Sequence, residues 1–344
     1  MTDAWLPQVN GVVRTLQAVA REVEARGHQV LFLTPEGRGT WPLPSYREVS
    51  LARVSAAAIA AEIDELAPES IHLATEGPLG WAARRVCLAR HMAFTSSFHT
   101  RFAEYAAMRI PMPGLGRLVW AMLRRFHGPS SAVMVPTSSI GAELQARGFR
   151  NVRIWTRGFD HRLFRPVRRD AISAPRPILL YAGRLAVEKG IDDFVKLRST
   201  GTKVFVGDGP ERERLQRLAP DALFTRYLHG EVYARHLASA DVLVFPSRTD
   251  TFGLVMIEAI ACGTPVAAYN VASPVDVVRE GITGCLAASL ERAVAGALRL
   301  DRGKVAEASH SFSWRYAADQ FLEWLVPCAP RAVVDGRAQF IHLR

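Results

Sequence analysis

The sequence predicts an α/β protein made of two doubly wound, Rossmann-like parallel-sheet domains that face each other across a cleft. Three observations carry that reading. Short β-branched runs alternate with amphipathic helical stretches along the whole chain. The 344 residues suffice for two cores of roughly 150 residues each. The alternation breaks once, at Arg168–Pro177, into a charged, proline-containing stretch that reads as a linker, and then restarts.

In the first half the expected strands are Gln29–Leu33, Ile71–Ala74, Ala93–Ser97, Ala132–Val135 and Val152–Trp155, with helices between them. In the second half they are Ile178–Tyr181, Lys203–Val206, Leu223–Leu228, Val242–Phe245 and Val266–Ala268. The expected domains are therefore 1–167 and 168–308, followed by a closing segment, 309–330. There Phe312, Tyr316, Phe321 and Leu325 recur at roughly helical spacing, as in a helix that returns to the first domain. At the amino end, Thr2 and Asp3 read as the end of a strand whose apolar body is missing. Either the start is late or the first strand has been lost, which would leave a central sheet position empty and weaken the domain.

Composition narrows the function. With 49% hydrophobic and 22% charged residues and no repeat or low-complexity tract, the chain reads as an ordinary soluble enzyme. No apolar run approaches the ~18 residues needed to cross a bilayer, and the amino end lacks the layout of a signal peptide. The four cysteines, Cys87, Cys262, Cys285 and Cys328, show neither paired spacing nor a ligand cluster. A cytoplasmic, reduced setting is the expectation. The net charge of +10 is unevenly spread: residues 84–169 hold sixteen Arg, no Lys and only Glu104, Glu143 and Asp160 as acids. Such a field attracts nucleotide phosphates, anionic lipid headgroups or nucleic acid, although a merely solvated face would look the same.

Ligands of open parallel sheets bind beyond the carboxyl ends of strands, so three loops matter. After Ile178–Tyr181 comes G-R-L-A-V-E-K-G, where Arg184 and Lys189 could hold a diphosphate and neutralise its charge as it departs; a surface ion-pairing role fits as well. After Val242–Phe245 comes P-S-R-T-D-T-F-G-L-V-M-I-E. A helix is expected to open near Gly253, with Asp250 before it and Glu258 inside it among apolar Ile257 and Ile260. A carboxylate there needs a hydrogen-bonding partner, which ribose hydroxyls would supply; a helix cap at Asp250 and an unrelated surface Glu258 is the plainer alternative. The third loop is N-G-V-V-R-T, where Gly11 opens a helix at the edge of the presumed first strand. His99, in S-S-F-H-T-R-F, also stands at a strand mouth, where a lone histidine is more often structural.

Some motifs are missing. No two Asp are separated by a single position, so no Asp-x-Asp metal site exists, and phosphate handling falls to Arg, Lys and helix dipoles. Neither a P-loop nor a G-x-G-x-x-G fingerprint occurs, which speaks against a P-loop nucleotidase and a nicotinamide dehydrogenase.

Taken together, T-D-A-W-L-P-Q-V-N-G-V-V-R-T, F-H-T-R-F, R-G-F-D-H-R-L-F-R-P, G-R-L-A-V-E-K-G, V-G-D-G-P, T-D-T-F-G-L-V-M-I-E and the closing S-W resemble the family-4 retaining glycosyltransferases of the GT-B fold over nearly the whole chain. The resemblance implies that Arg184 and Lys189 grip the donor diphosphate, that Glu258 binds ribose, and that Thr251, Phe252, Gly253, Leu254 and Val255 line the sugar and phosphate. It further implies that Gly11 closes over the diphosphate and that His99 faces sugar and acceptor. Asp250 stands where the family usually has the first Glu of Glu-x7-Glu, which leaves its reach and the sugar's identity open. The same resemblance implies that anomeric configuration is retained by attack on the face that the nucleotide leaves, with a UDP- or GDP-sugar as the expected donor and no cofactor or metal.

Within the family, S-x-H-T-x-F and R-G-F-D look like the diacylglycerol, sulfoquinovosyl and phosphatidylinositol enzymes, which glycosylate lipids at the inner membrane face. Independently, Leu118, Val119, Met122, Leu123 and Phe126 form a stripe at helical spacing flanked by Arg109, Arg117, Arg124 and Arg125, with Trp120 off the stripe. The helix could lie on an anionic bilayer with Arg117, Trp120, Arg124 and Arg125 at the lipid, or pack its stripe on the sheet. The expected partners are thus a nucleotide sugar, a lipid acceptor and an anionic membrane surface, with the chain peripheral on the inner face and no nucleic acid bound. A polysaccharide or small-glycoside acceptor is the alternative within the class; a non-catalytic protein binding nucleic acid or membrane through its basic face is the alternative outside it. A remnant that keeps the fold without the activity is the last.

Overall fold

The computed structural model describes residues 1–8, 10–43, 46–110 and 112–328. The strands are β1 (Thr40–Leu43), β2 (Tyr46–Ala52), β3 (His72–Leu73), β4 (Thr95–Ser97), β5 (Val133–Val135), β6 (Val152–Ile154), β7 (Ile178–Ala182), β8 (Thr202–Val206), β9 (Leu223–Thr225), β10 (Val242–Phe245), β11 (Val266–Tyr269) and β12 (Gly284–Ala287). They form a parallel sheet in the order β3-β4-β5-β6, a second in the order β12-β11-β10-β7-β8-β9, and the antiparallel pair β1-β2. Within the second sheet the chain first grows outward from β7 through β8 to β9, then crosses back to β10 and grows the other way. The order reverses between β7 and β10, the switch point beyond whose carboxyl ends ligands of such sheets bind.

Several expected boundaries shift. Gln29–Leu33 is extended but pairs as no named strand; its Leu33 carbonyl accepts from Thr2 N at 3.0 Å. On the other side Ala74 N donates to the Met1 carbonyl at 2.9 Å, so Met1–Asp3 lie between Leu33 and the end of β3, the edge strand of the first sheet. Asp3 is buried there and caps the helix Pro78–Ala89: its Oδ1 accepts from Leu79 N at 3.0 Å and its Oδ2 from the Thr75 hydroxyl at 3.0 Å. The expected strand Leu223–Leu228 stops at Thr225. The β1-β2 pair and β12 lie outside the expected strands.

The stripe on the helix Leu115–His127 also needs correcting. Trp120, Leu123, Phe126 and His127 are buried, whereas Leu118 (65% exposed) and Met122 face solvent together with Arg117, Arg124 and Arg125. Positions three and four apart share a helix face, which joins Trp120 to Leu123 and His127 on the inner side and Leu118 to Met122 on the outer, with Phe126 between the two. Trp120 therefore cannot meet lipid. It is wedged beside Phe98 at 6.0 Å, with the Arg147 guanidinium 4.2 Å over its ring.

The helix Trp314–Trp324 lies on the helix Gly11–Glu24 of the first domain. Its buried residues are Ala317 and Ala318, small enough for close approach; Tyr316, expected inside, is 53% exposed. Residues 329 and 330 of the expected closing segment lie outside the described residues. The fully buried Trp155 fixes this docking, since its indole N–H donates to the Ala317 carbonyl at 2.9 Å. Trp155→Phe removes that bond, although the carbonyl keeps its helical partner, and should cost about 0.5–1.5 kcal/mol. Calorimetry should show a lower melting temperature; an unchanged one would mean that the contact contributes nothing.

Candidate active site

Beyond β7 the chain turns through Gly183 into residues 184–190, and beyond β10 it runs through 246–253 into the helix Leu254–Ala261. The two strands are neighbours, so the two loops touch. Gly190 sits in the left-handed region (φ +64°), and a Cβ on it would lie 2.6 Å from the Pro246 carbonyl oxygen. The Thr249 hydroxyl donates to the Glu188 carbonyl at 3.0 Å. These contacts bring Lys189 to Asp250, with Nζ 2.5 Å from Oδ1. Burial alone would depress the Lys189 ammonium, but Asp250 above all, with Tyr105 and Tyr181 nearby, holds it well above the ordinary lysine range. Tyr105 reaches in from the facing domain, and burial pushes its phenol up to about 12.

Arg184 stands at the same strand mouth. Its carbonyl accepts from the Tyr181 hydroxyl at 2.7 Å, and its charge, with that of Lys189, acts on the phenol of Tyr227. Burial is the larger influence on that phenol and raises it; the two cations pull it down. The two cations therefore share one neighbourhood.

Glu258 projects from the helix Leu254–Ala261 and is 1% exposed. Both its oxygens have partners: Oε1 takes a hydrogen bond from the Arg14 guanidinium of the facing domain, and Oε2 accepts from the Tyr233 hydroxyl at 3.1 Å. Gly253 caps that helix at φ +75°, where a Cβ would meet the Phe245 ring at 2.7 Å, so the backbone bend depends on glycine. Phe252 is buried edge-on to Phe312, and Leu254 and Val255 pack into the core. Across the cleft, a Cβ on Gly11 would lie 3.7 Å from a Leu254 methyl; Asn10 caps the helix that Gly11 opens. The Thr251 hydroxyl donates to the His99 carbonyl at 2.8 Å. Arg109 and Glu188 at 2.7 Å join the domains further along.

Gly11, His99, Asp250, Thr251, Leu254 and Glu258 thus meet across one interdomain gap, with Arg184 and Lys189 at its β7 side. Arg117, Arg124 and Arg125 lie apart, on the outer face of the first domain. Sequence reading passed over Arg14, Tyr105, Tyr233 and Arg157. Arg14 could have been found: it lies three positions after Gly11, on the same helix face. Tyr105 and Tyr233 carry no local signal, since only the folded chain brings their hydroxyls to Lys189 and Glu258. Among the described residues, no group of three His, Cys, Asp or Glu side chains converges as metal ligands would.

The family model described as Glycosyltransferase Family 4 matches residues 9–163, and that described as Glycosyl transferases group 1 matches residues 176–300. A GDP-mannose-dependent alpha-mannosyltransferase of Corynebacterium glutamicum is 30% identical over 311 residues, which span 83% of this chain and 75% of that protein. The chain belongs to glycosyltransferase family 4. A second member, a GDP-mannose-dependent alpha-(1-6)-phosphatidylinositol dimannoside mannosyltransferase of Mycobacterium tuberculosis, is 26% identical over 358 residues, 93% of each chain. Sucrose-phosphate synthase from Thermosynechococcus elongatus has the same GT-B architecture, with a TM-score of 0.72 over 92% of each chain; at 21% identity it speaks to the fold alone. The gap between the two sheets of this family-4 chain is the GT-B cleft.

The Lys189–Asp250 pair makes the electrostatics of the cleft testable. Removing the Asp250 charge by Asp250→Asn leaves burial to dominate, so the Lys189 ammonium should lose its proton at lower pH than in the wild type. Peptide-resolved acylation near pH 9 should label Lys189 faster in the variant. Equal labelling would show that Asp250 does not hold the proton there.

Proposed function

We propose that the chain transfers a hexose from a nucleoside diphosphate sugar to the hydroxyl of a membrane lipid, with retention at the anomeric carbon and without a metal ion. The observation that carries the reading is the pairing, in one cleft, of cations at the β7 mouth with a buried carboxylate eight residues beyond Asp250. Glu258 would exchange Arg14 for the ribose hydroxyls. Arg184 and Lys189 would hold the diphosphate, and Asp250, released from Lys189, would face the sugar. As the bond from the anomeric carbon to the phosphate oxygen breaks, negative charge builds on the leaving diphosphate, and two fixed cations in a partly dry site stabilise it. The acceptor oxygen bonds to the same face of the sugar, and its proton passes to the departing phosphate oxygen. GDP-mannose heads the donors to try, since the names of both relatives contain it.

The lipid acceptor rests on the outer face of the first domain and on the Mycobacterium tuberculosis relative, whose name contains a phosphatidylinositol dimannoside. Met108, Ile110, Met112, Leu118 and Met122 are each at least 40% exposed on two adjoining helices and the turn between them. With Arg117, Arg124 and Arg125 exposed beside them, these side chains would enter the interface of an anionic bilayer while the guanidinium groups meet its headgroups. Among the described residues no helix is long and apolar enough to cross a membrane.

Purified protein incubated with a panel of nucleotide sugars and total lipid should release nucleoside diphosphate and form a glycolipid. Arg184→Ala and Lys189→Ala should each lower turnover by roughly 100-fold or more, as loss of a charge-stabilising donor does. Full rates in either variant would remove the assigned roles. Added chelator should leave turnover unchanged, and its complete loss would overturn the metal-free route. Replacing Arg117, Arg124 and Arg125 by Gln should abolish sedimentation with anionic vesicles at unchanged fold; sedimentation equal to the wild type would remove the membrane arm and favour a soluble glycoside acceptor.

A further inference from the structure

Arg157 is 3% exposed and, among the described residues, makes no ion pair with a carboxylate, an expensive arrangement for a guanidinium. Neutral groups satisfy it. Nη1 donates to the carbonyls of Trp155 at 2.5 Å and Thr156 at 3.0 Å, and the guanidinium carbon stands 4.5 Å over the Trp155 ring. Its remaining polar contact is Nη2 to His99 Nδ1, at 3.2 Å. Burial lowers its pKa to about 9, so it still carries its proton at neutral pH.

A guanidinium has no acceptor atom, which fixes the direction of that bond. Nδ1 of His99 must accept, and the single proton of the neutral ring must therefore sit on Nε2. That Nε2 is buried and has no partner among the described residues. The His99 carbonyl is meanwhile pinned by the Thr251 hydroxyl, and its ring stands edge-on to Trp155 at 5.7 Å, so the imidazole cannot easily turn away. We propose that Arg157 is a positioning residue for glycosyl transfer: it locks His99 in the Nε2–H tautomer and presents that N–H as a donor to an oxygen of the sugar or the acceptor. The inference rests on the cleft being the transferase site. Two roles fall to Arg157 together. It selects the tautomer, and it keeps the ring neutral, since a protonated His99 would turn an N–H toward the guanidinium.

The charged and titratable groups that act on His99 are Arg157, His72 and His127, all of which disfavour its protonation, with burial the largest influence. The His99 pKa consequently lies well below the ordinary histidine range. Because this base has a depressed pKa, the ring stays a neutral donor as pH falls through 6.5 and is lost only below its own lower pKa.

The direct test is ¹⁵N NMR of the full chain with ring-labelled histidine, His99 being assigned by comparison with His99→Gln. At pH 6 the wild-type His99 should be neutral, with Nε2 protonated and Nδ1 bare. An Nδ1–H tautomer or an imidazolium at that pH would overturn the proposal, and this readout requires no turnover, so it decides even if the transferase reading fails. The kinetic test is Arg157→Met. The acid limb of its kcat/KM profile should move upward by about one pH unit, which is tenfold in rate on the sloping side, as His99 becomes easier to protonate. Arg157→Lys, which keeps the charge, should return the limb toward the wild-type position. A Met variant that lowers the rate equally at every pH would reduce Arg157 to a packing residue and refute the proposal.

Discussion

Lys189 and Asp250 are opposite charges held 2.5 Å apart in a largely buried place, and each is tolerable there because of the other. Glu258, 1% exposed, likewise depends on the Arg14 guanidinium, whose own side chain is 44% exposed. Each of these pairs joins residues far apart in sequence, and the second joins the two domains. The cleft therefore stores its charge in compensated form. On the proposed function, a nucleoside diphosphate sugar would bring the complementary set, anionic phosphates for the cations and hydroxyl donors for the acids, so its binding would exchange one satisfied arrangement for another and strand neither buried carboxylate.

Support for these side chains comes from a distance. The helix Trp314–Trp324 closes over the first domain and holds Trp155 through its indole N–H; Trp155 is the platform on which Arg157 lies, and Arg157 sets His99. On the other side, Gly190 and Gly253 let the β7 and β10 loops approach closely enough for Lys189 to reach Asp250. The site is thus made by backbone contacts between loops and by one docked helix, with the reactive side chains mounted on the result.

Much of this was legible in the sequence, and the remainder was hidden for physical reasons. Continuous apolar runs such as Ile178–Tyr181 and Val242–Phe245 announce buried parallel strands, and every strand of the second sheet that has such a run was found. β12, with only Gly284–Ala287, has none. The placement of Arg184, Lys189, Asp250 and Glu258 could be read because Arg184, Lys189 and Asp250 lie on loops that follow strand ends directly and Glu258 on the helix that follows one of them. The helix Leu115–His127 was misread because its apolar residues outnumber those one face can hold, and periodicity alone did not decide that Trp120, rather than Leu118, turns inward. Tyr105, Tyr233 and Arg157 become visible only when distant elements meet, since nothing near them in sequence points to Lys189, Glu258 or His99 as the partner.

The most direct measurement of the central claim is a crystal structure of the chain grown with GDP, and a second with UDP. In at least one of them, ribose hydroxyls should sit on Glu258 in place of Arg14, with the diphosphate against Arg184 and Lys189. Nucleotide bound elsewhere in both, with the Arg14–Glu258 and Lys189–Asp250 pairs intact, would contradict the account.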